Sequence, residues 1–130
     1  MQAITIDTVL DEVINQQELP LEEVLDRYFS PNYRQRTNGC WDDREGFARH
    51  ARKLREVCTF ASVEVLDELR DGDRYATRHR VQGTRRDGAE VVMEVYMFAE
   101  RDTAGRFLRI EETTLMLEGT ESDRDLGSAK

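Results

Sequence analysis

Apolar residues recur at helical spacing up to about residue 57 and alternate in strand fashion after residue 60. In the first part, Ile6, Val9, Leu10, Val13 and Ile14 fall on one stripe, with Asp7, Asp11 and Glu12 mostly off it; this predicts a helix over 5–18. Pro20 suits the first turn of a second helix, whose inner face is Leu21, Val24, Leu25 and Tyr28 or Phe29. Ser30-Pro31-Asn32 ends it, because a residue before proline is pushed out of the helical region. Residues 33–37 read as a short extended segment and Asn38-Gly39 as a turn. Asp42 reads as an N-cap, with Glu45 completing a capping-box pattern. A third helix then runs to about Val57, with Phe47, Ala51, Leu54 and Val57 or Cys58 inward.

Four strands follow, at about 61–70, 74–85, 89–101 and 106–118, joined by turns rich in Asp and Gly. The middle hairpin specifies its own register. A three-residue loop, Arg86-Asp87-Gly88 with a left-handed Gly88, pairs Arg85 with Ala89. One face then carries Tyr75, Thr77, His79 and Val81 against Met93, Val95, Met97 and Ala99, and is nearly all apolar. The other sets Ala76, Arg78 and Arg80 against Phe98, Tyr96 and Glu94, with Arg80–Glu94 as a cross-strand ion pair. A slip of one residue would turn the core face outward. Residues 1–119 thus read as one domain and 120–130, almost without apolar residues, as a flexible tail.

Composition narrows the function classes. The chain has 130 residues, of which 35% are charged, and a formal net charge of -8. That balance repels phosphate backbones and anionic lipid surfaces, so neither nucleic acid nor a membrane is expected as partner. No apolar run approaches the ~20 residues of a membrane span and no signal-peptide pattern opens the chain, so a cytoplasmic protein is expected. Cys40 and Cys58 form no CxxC, and with only His50 and His79 beside them no structural zinc spacing exists. No cofactor or metal is expected. No serine sits in a GxSxG turn, and no glycine-rich loop suggests a phosphate cradle.

Helices first and a bent antiparallel sheet after is also an order with a family behind it. Tyr28-Phe29-Ser30-Pro31-Asn32-Tyr33-Arg34-Gln35, Arg44-Glu45-Gly46-Phe47, the run from Asp73 to Thr84, and Gly105-Arg106-Phe107-Leu108-Arg109-Ile110-Glu111-Glu112 follow one another at a characteristic spacing. Over roughly residues 6–119 the chain resembles the SnoaL-like branch of the nuclear transport factor 2-like superfamily. The resemblance implies an α+β fold: N-terminal helices packed into a strongly curved antiparallel sheet, a cone-shaped half-barrel of the cystatin-like α+β barrel type. It also implies an internal pocket for a small hydrophobic ligand and a homodimer through the open sheet face. It implies no single activity, since members isomerise ketosteroids, cyclise polyketides, dehydrate, open epoxides or catalyse nothing.

Two residues stand out as catalytic candidates. Glu112 alternates with Leu108 and Ile110 and so shares their inward face. The resemblance implies that an acid on the last strands serves as general acid/base in the polyketide cyclases. Burial among apolar groups would raise its pKa toward neutrality. The other reading pairs Glu112 with an arginine, or turns it to solvent by a bulge and puts Glu111 in its place. His79, among Tyr75, Val81, Met93, Val95 and Met97, either exchanges a proton with a bound carbonyl or enol, or is a core histidine with one fixed partner. Tyr28 and Tyr33 are oxyanion donors by analogy with the ketosteroid isomerases, or plain packing. The aspartates that complete the isomerase set are missing, and the arginine-between-aspartates pattern of the epoxide hydrolases fails at Arg80. Gln35 and Trp41 are expected at the pocket mouth, and Phe47, Leu54, Tyr75, Met93, Val95 and Met97 along its walls. His50, among arginines on the third helix, reads as solvated or half-buried at its edge; Cys58 reads as buried and Cys40 as a loop thiol. The resulting expectation is a pocket protein for a compact hydrophobic molecule, able to act as a cofactor-independent cyclase, isomerase or dehydratase. The alternative is a non-catalytic ligand-binding or dimerising module.

Overall fold

The computed structural model describes residues 4–124 and 126. Short helical elements precede the strands: α1 (Ile6–Leu10), continued by a π-helical turn (Asp11–Asn15), and α2 (Leu21–Tyr28). Strands β1 (Phe29–Thr37) and β2 (Cys40–Asp43) form a hairpin, followed by α3 (Arg44–Val57). Four long strands complete the fold: β3 (Cys58–Asp71), β4 (Arg74–Arg85), β5 (Glu90–Arg101) and β6 (Phe107–Glu118). The six strands make one curved, unclosed sheet in the order β2-β1-β6-β5-β4-β3. All neighbours are antiparallel except β1 and β6, which run parallel. This is the expected α+β cone. Among the described residues no helix is long and apolar enough to cross a membrane.

The β4–β5 register is the one that the turn chemistry specifies: Tyr75 pairs with Ala99, His79 with Val95 and Arg80 with Glu94. Gly88 is left-handed at φ 90°, and the Arg85 amide donates to the Ala89 carbonyl at 2.8 Å. On the outer face Arg80 Nε lies 3.1 Å from Glu94, and the Tyr96 hydroxyl donates to the same carboxylate.

Four expectations need correction. The first helix does not run unbroken to residue 18. It widens into the π-helical turn, where the Gln16 amide bonds back five residues to the Asp11 carbonyl at 3.1 Å. Its end is held by polar side chains. Arg55 Nε and both of its terminal nitrogens donate to the carbonyls of Val13, Leu19 and Glu12 at 2.6–3.0 Å, supplying the donors that carbonyls at a helix end otherwise lack. Asn15 clamps the edge strand β3 at Ala61, donating to its carbonyl at 2.6 Å and accepting from its amide at 2.7 Å. Second, α3 is capped by Asp43 rather than Asp42; the Asp43 carboxylate accepts from the Gly46 amide at 2.8 Å. Third, β1 begins at Phe29 and runs through Pro31. Its ladder with β6 is irregular between Phe29 and Arg34, where a residue without an N–H is tolerated.

The fourth correction concerns the chain after β6, expected to be loose. Glu121–Asp123 forms a 3-10 turn with a capping box between Thr120 and Asp123. Asp123 is buried and accepts from Arg85 at 2.6 Å. The expectation for 125 and 127–130, like that for residues 1–3 of the domain, lies outside the described residues.

Candidate functional site

The interior of the cone has two ends of different character. At one, Phe29, Tyr33, Phe47 and Phe107 pack ring against ring, with centroids 4.7–5.7 Å apart. At the other, the inward positions of the sheet are small. Ala61 and Gly83 are cross-strand partners, and Gly83 faces Val91 on β5. No side chain fills the space above them: a Cβ at Gly83 would meet only Cys58 Sγ, at 3.7 Å. The result is an apolar cavity of about 110 Å³. Val81, Met93 and Val95 form its floor, Leu10 and Ile14 of the clamped N-terminal segment and Leu54 of α3 its roof, and Leu126 closes against it.

Four polar side chains reach this cavity: Glu112, His79, His50 and Thr114. Glu112 lies on β6 beside Met97 of β5 and Thr37 of β1. Burial raises its carboxyl from 4.5 to about 7, against a smaller opposing effect of the hydrogen bond from Thr37. That bond ends an ordered chain of donors along the inner side of β1. The Tyr33 hydroxyl donates to Gln35 Oε1 at 2.6 Å, Gln35 Nε2 donates to Thr37 Oγ1 at 2.8 Å, and Thr37 Oγ1 donates to Glu112 Oε1 at 3.2 Å. Alternation along a strand produces this chain, since residues 33, 35 and 37 share one face. Each donor points toward the carboxyl, so the chain orients Glu112 and favours its ionised form. It does not outweigh burial.

His79 sits on β4, two strands from β6, with Val95 between it and Thr114. Two strand spacings and an offset of two residues along β6 put the backbones of His79 and Glu112 about 12 Å apart across the cavity floor. The ring is buried, and burial lowers its pKa to about 4, so it is neutral at pH 7. Its Nδ1 is 2.8 Å from Thr77 Oγ1. Its Nε2 has no hydrogen-bond partner among the described residues. When Thr77 donates to Nδ1, the proton resides on Nε2, which is then a neutral donor.

Of the expected wall residues, Leu54, Met93 and Val95 line the cavity, whereas Tyr28, Tyr33, Gln35, Trp41, Phe47, Tyr75 and Met97 do not. Tyr28 donates to Glu12 on the helical side. Tyr33 and Phe47 belong to the packed aromatic end, and Gln35 touches the site only through Thr37. Trp41 is exposed, with the Arg34 guanidinium 4.7 Å above its ring. Tyr75 is buried, accepting from the Ile6 amide and donating to Glu68 at 2.6 Å. Met97 is enclosed in the sheet between Thr77 and Glu112. Tyr33 was expected at the ligand as an oxyanion donor or as packing, and Phe47 and Tyr75 as walls; the bulk of these rings fills the space that they enclose.

His50 went unrecognised as a cavity residue. It is buried on α3 against Phe47, with ring centroids 6.2 Å apart. Its spacing, three residues after Phe47 and four before Leu54, was the available signal. Cys58 is buried beside the cavity and Cys40 is exposed. Among the described residues no group of three or more His, Cys, Asp or Glu side chains is placed to hold a metal ion.

A curved sheet closed by helices over an internal cavity is the architecture of the nuclear transport factor 2-like proteins. Within that class the chain belongs to the SnoaL-like domain family, whose sequence model matches residues 9–110. It is 32% identical over 108 residues to an uncharacterized protein of Schizosaccharomyces pombe, covering 83% of this chain and 82% of that protein. Its fold is similar to that of AclR, a proposed hydroxylase of Streptomyces galilaeus (TM-score 0.70, 14% identity, 96% of this chain and 83% of that one). It is also similar to IdmH, a proposed polyketide cyclase of Streptomyces antibioticus (0.64, 19%, 93% of each chain). A third likeness is to a proposed isomerase of Rhodopseudomonas palustris (0.73, 12%, 92% of each chain). At these identities the solved structures speak for the fold alone.

Proposed function

We propose that the protein is a cofactor-independent proton-transfer enzyme acting on a small, uncharged carbonyl compound. One observation carries this reading: a carboxyl group with a proton affinity near neutrality faces a neutral imidazole across an apolar cavity. In the reaction, the Glu112 carboxylate takes a proton from the carbon next to the carbonyl. The C–H electron pair becomes the C=C bond of an enolate, and the carbonyl π pair moves onto oxygen. His79 Nε2–H donates a hydrogen bond to that oxygen, where its value is greatest because the surroundings exclude water. In a β,γ-unsaturated compound the enolate is a dienolate, and returning the proton to its γ-carbon isomerises the compound; in a β-hydroxy compound, loss of the hydroxyl as water, protonated by Glu112, dehydrates it. A base is most useful when its pKa lies near the working pH, which a value of about 7 satisfies.

The test needs no knowledge of the natural substrate. Deuterium uptake at the α-carbons of cyclohexanone in D2O is followed by NMR. Wild type exchanges faster than buffer, and Glu112→Gln loses that excess by roughly 100-fold or more. Equal rates for the two proteins would contradict the reading.

A second feature supports the dimer side of the alternative. The outer sheet face exposes Leu69 and Phe98, at 72% and 74% of their surface, together with Tyr96, Leu115 and Leu117. We infer that a second copy covers this face, as the family resemblance implies. Sedimentation should show a dimer for wild type and a monomer for Phe98→Glu; two monomers would contradict it. The exposed thiol of Cys40 fits a reducing, cytoplasmic setting.

A further inference from the structure

We propose that the cavity is a single-ring site whose upper size limit is set by the chain's own C-terminal segment, with Leu126 as the residue that excludes larger molecules. The proposal rests on the reading that the cavity takes a small molecule, and it names the class. Ligand pockets commonly span about 300–1,000 Å³, and an engineered apolar cavity of about 150 Å³ holds benzene. The cavity here measures about 110 Å³. It therefore has room for no more than one six-membered ring or a branched chain of similar bulk, and it is far too small for fused polycyclic compounds. Its apolar walls disfavour a charged ligand, and Glu112 disfavours an anion most of all. His79 and Thr114 leave places for one carbonyl or hydroxyl group.

The closing segment is built rather than incidental. Gly119 reverses the chain at the end of β6 with φ 146°, and a Cβ there would come within 3.0 Å of Met116 Sδ and 3.4 Å of Asp123. Thr120 and Asp123 then cap one another, the Thr120 amide and hydroxyl both donating to Asp123 Oδ2 at 3.1 and 3.0 Å. The second oxygen of Asp123 accepts from Arg85 at 2.6 Å, which latches the segment to the end of β4. Gly83, two residues before Arg85, forms part of the cavity wall, so the latch stands beside the cavity that Leu126 closes. No other element among the described residues contributes a side chain to the cavity from beyond the sheet and helices.

The experiment compares dissociation constants of cyclohexanone and 1-tetralone by NMR titration, in wild type, Leu126→Ala and Asp123→Asn. Buried area alone would favour the larger tetralone. Wild type is expected to bind cyclohexanone more tightly, by about tenfold, and Leu126→Ala to reverse the order. Asp123→Asn, which leaves the cavity wall intact and loosens only the latch, should move in the same direction. Tighter tetralone binding by wild type, an unchanged order in both variants, or no binding of either ketone would overturn the proposal. Binding is read rather than turnover. Cyclohexanone binding without Glu112-dependent exchange would sink the catalytic reading alone, and Glu112-dependent exchange on tetralone by wild type would sink the size limit alone.

Discussion

The filled and hollow ends of the cone are built on the same sheet from residues of the same apolar character, and they differ in volume. Where Phe29, Tyr33, Phe47 and Phe107 meet, aromatic rings interlock and leave no room. Where Ala61 faces Gly83, the sheet supplies backbone and little else, and a cavity remains. The difference also separates stability from chemistry. The filled end gains from dense packing. The hollow end keeps a carboxyl and an imidazole in surroundings that penalise their charged forms.

The comparison can be broken by mutation. The largest effect belongs to the filled end. Phe107 is fully buried between Phe29 and Tyr75, so Phe107→Ala should cost about 3–5 kcal/mol in denaturant unfolding. Val91→Ala, at the margin of an existing void, should cost clearly less. Equal losses would mean that the two ends are packed alike.

A smaller effect follows from the proton held by Glu112. Native Glu112 titrates at about 7 and the unfolded chain near 4.5. Between these values the native state binds more protons, so Glu112 weakens the fold as pH rises through that window and has no such effect below it. Glu112→Gln cannot ionise. Relative to wild type it should gain about 3 kcal/mol between pH 4.5 and pH 8, measured by urea unfolding across pH. His79 acts in the opposite sense. Held neutral with a pKa of about 4, it weakens the fold as pH falls below 6.5, but it is present in both proteins and cancels.

The smallest effect sharpens the comparison. Gly83→Ala places a methyl group at ordinary contact distance from Cys58, inside the hollow. It should raise stability by about 0.5–1 kcal/mol, because glycine weakens a strand. It should also reduce cyclohexanone affinity. A thermal melt and a titration of the same variant check both signs.

Much of this was legible in the sequence where the causes are local. The Arg86-Asp87-Gly88 turn dictates the β4–β5 ladder, and strand alternation dictates which way His79 and Glu112 point. The position of the cavity was not legible. It depends on the summed volume of residues far apart in the chain, so the aromatics looked like walls and Gly83 drew no notice. The latch was hidden for a similar reason: Arg85 and Asp123 lie 38 residues apart, and only the Thr120–Asp123 capping spacing was local. His50 was masked by its arginine neighbours, although its helical spacing placed it with Phe47 and Leu54.

The central claim is that the hollow end holds a carboxyl ready to exchange a proton at neutral pH. A carbon-detected NMR titration of the glutamate side-chain carboxyls, with Glu112→Gln supplying the assignment, tests it directly. The account predicts one carboxyl with its midpoint near 7, absent from the variant. A Glu112 midpoint near 4.5 would contradict it.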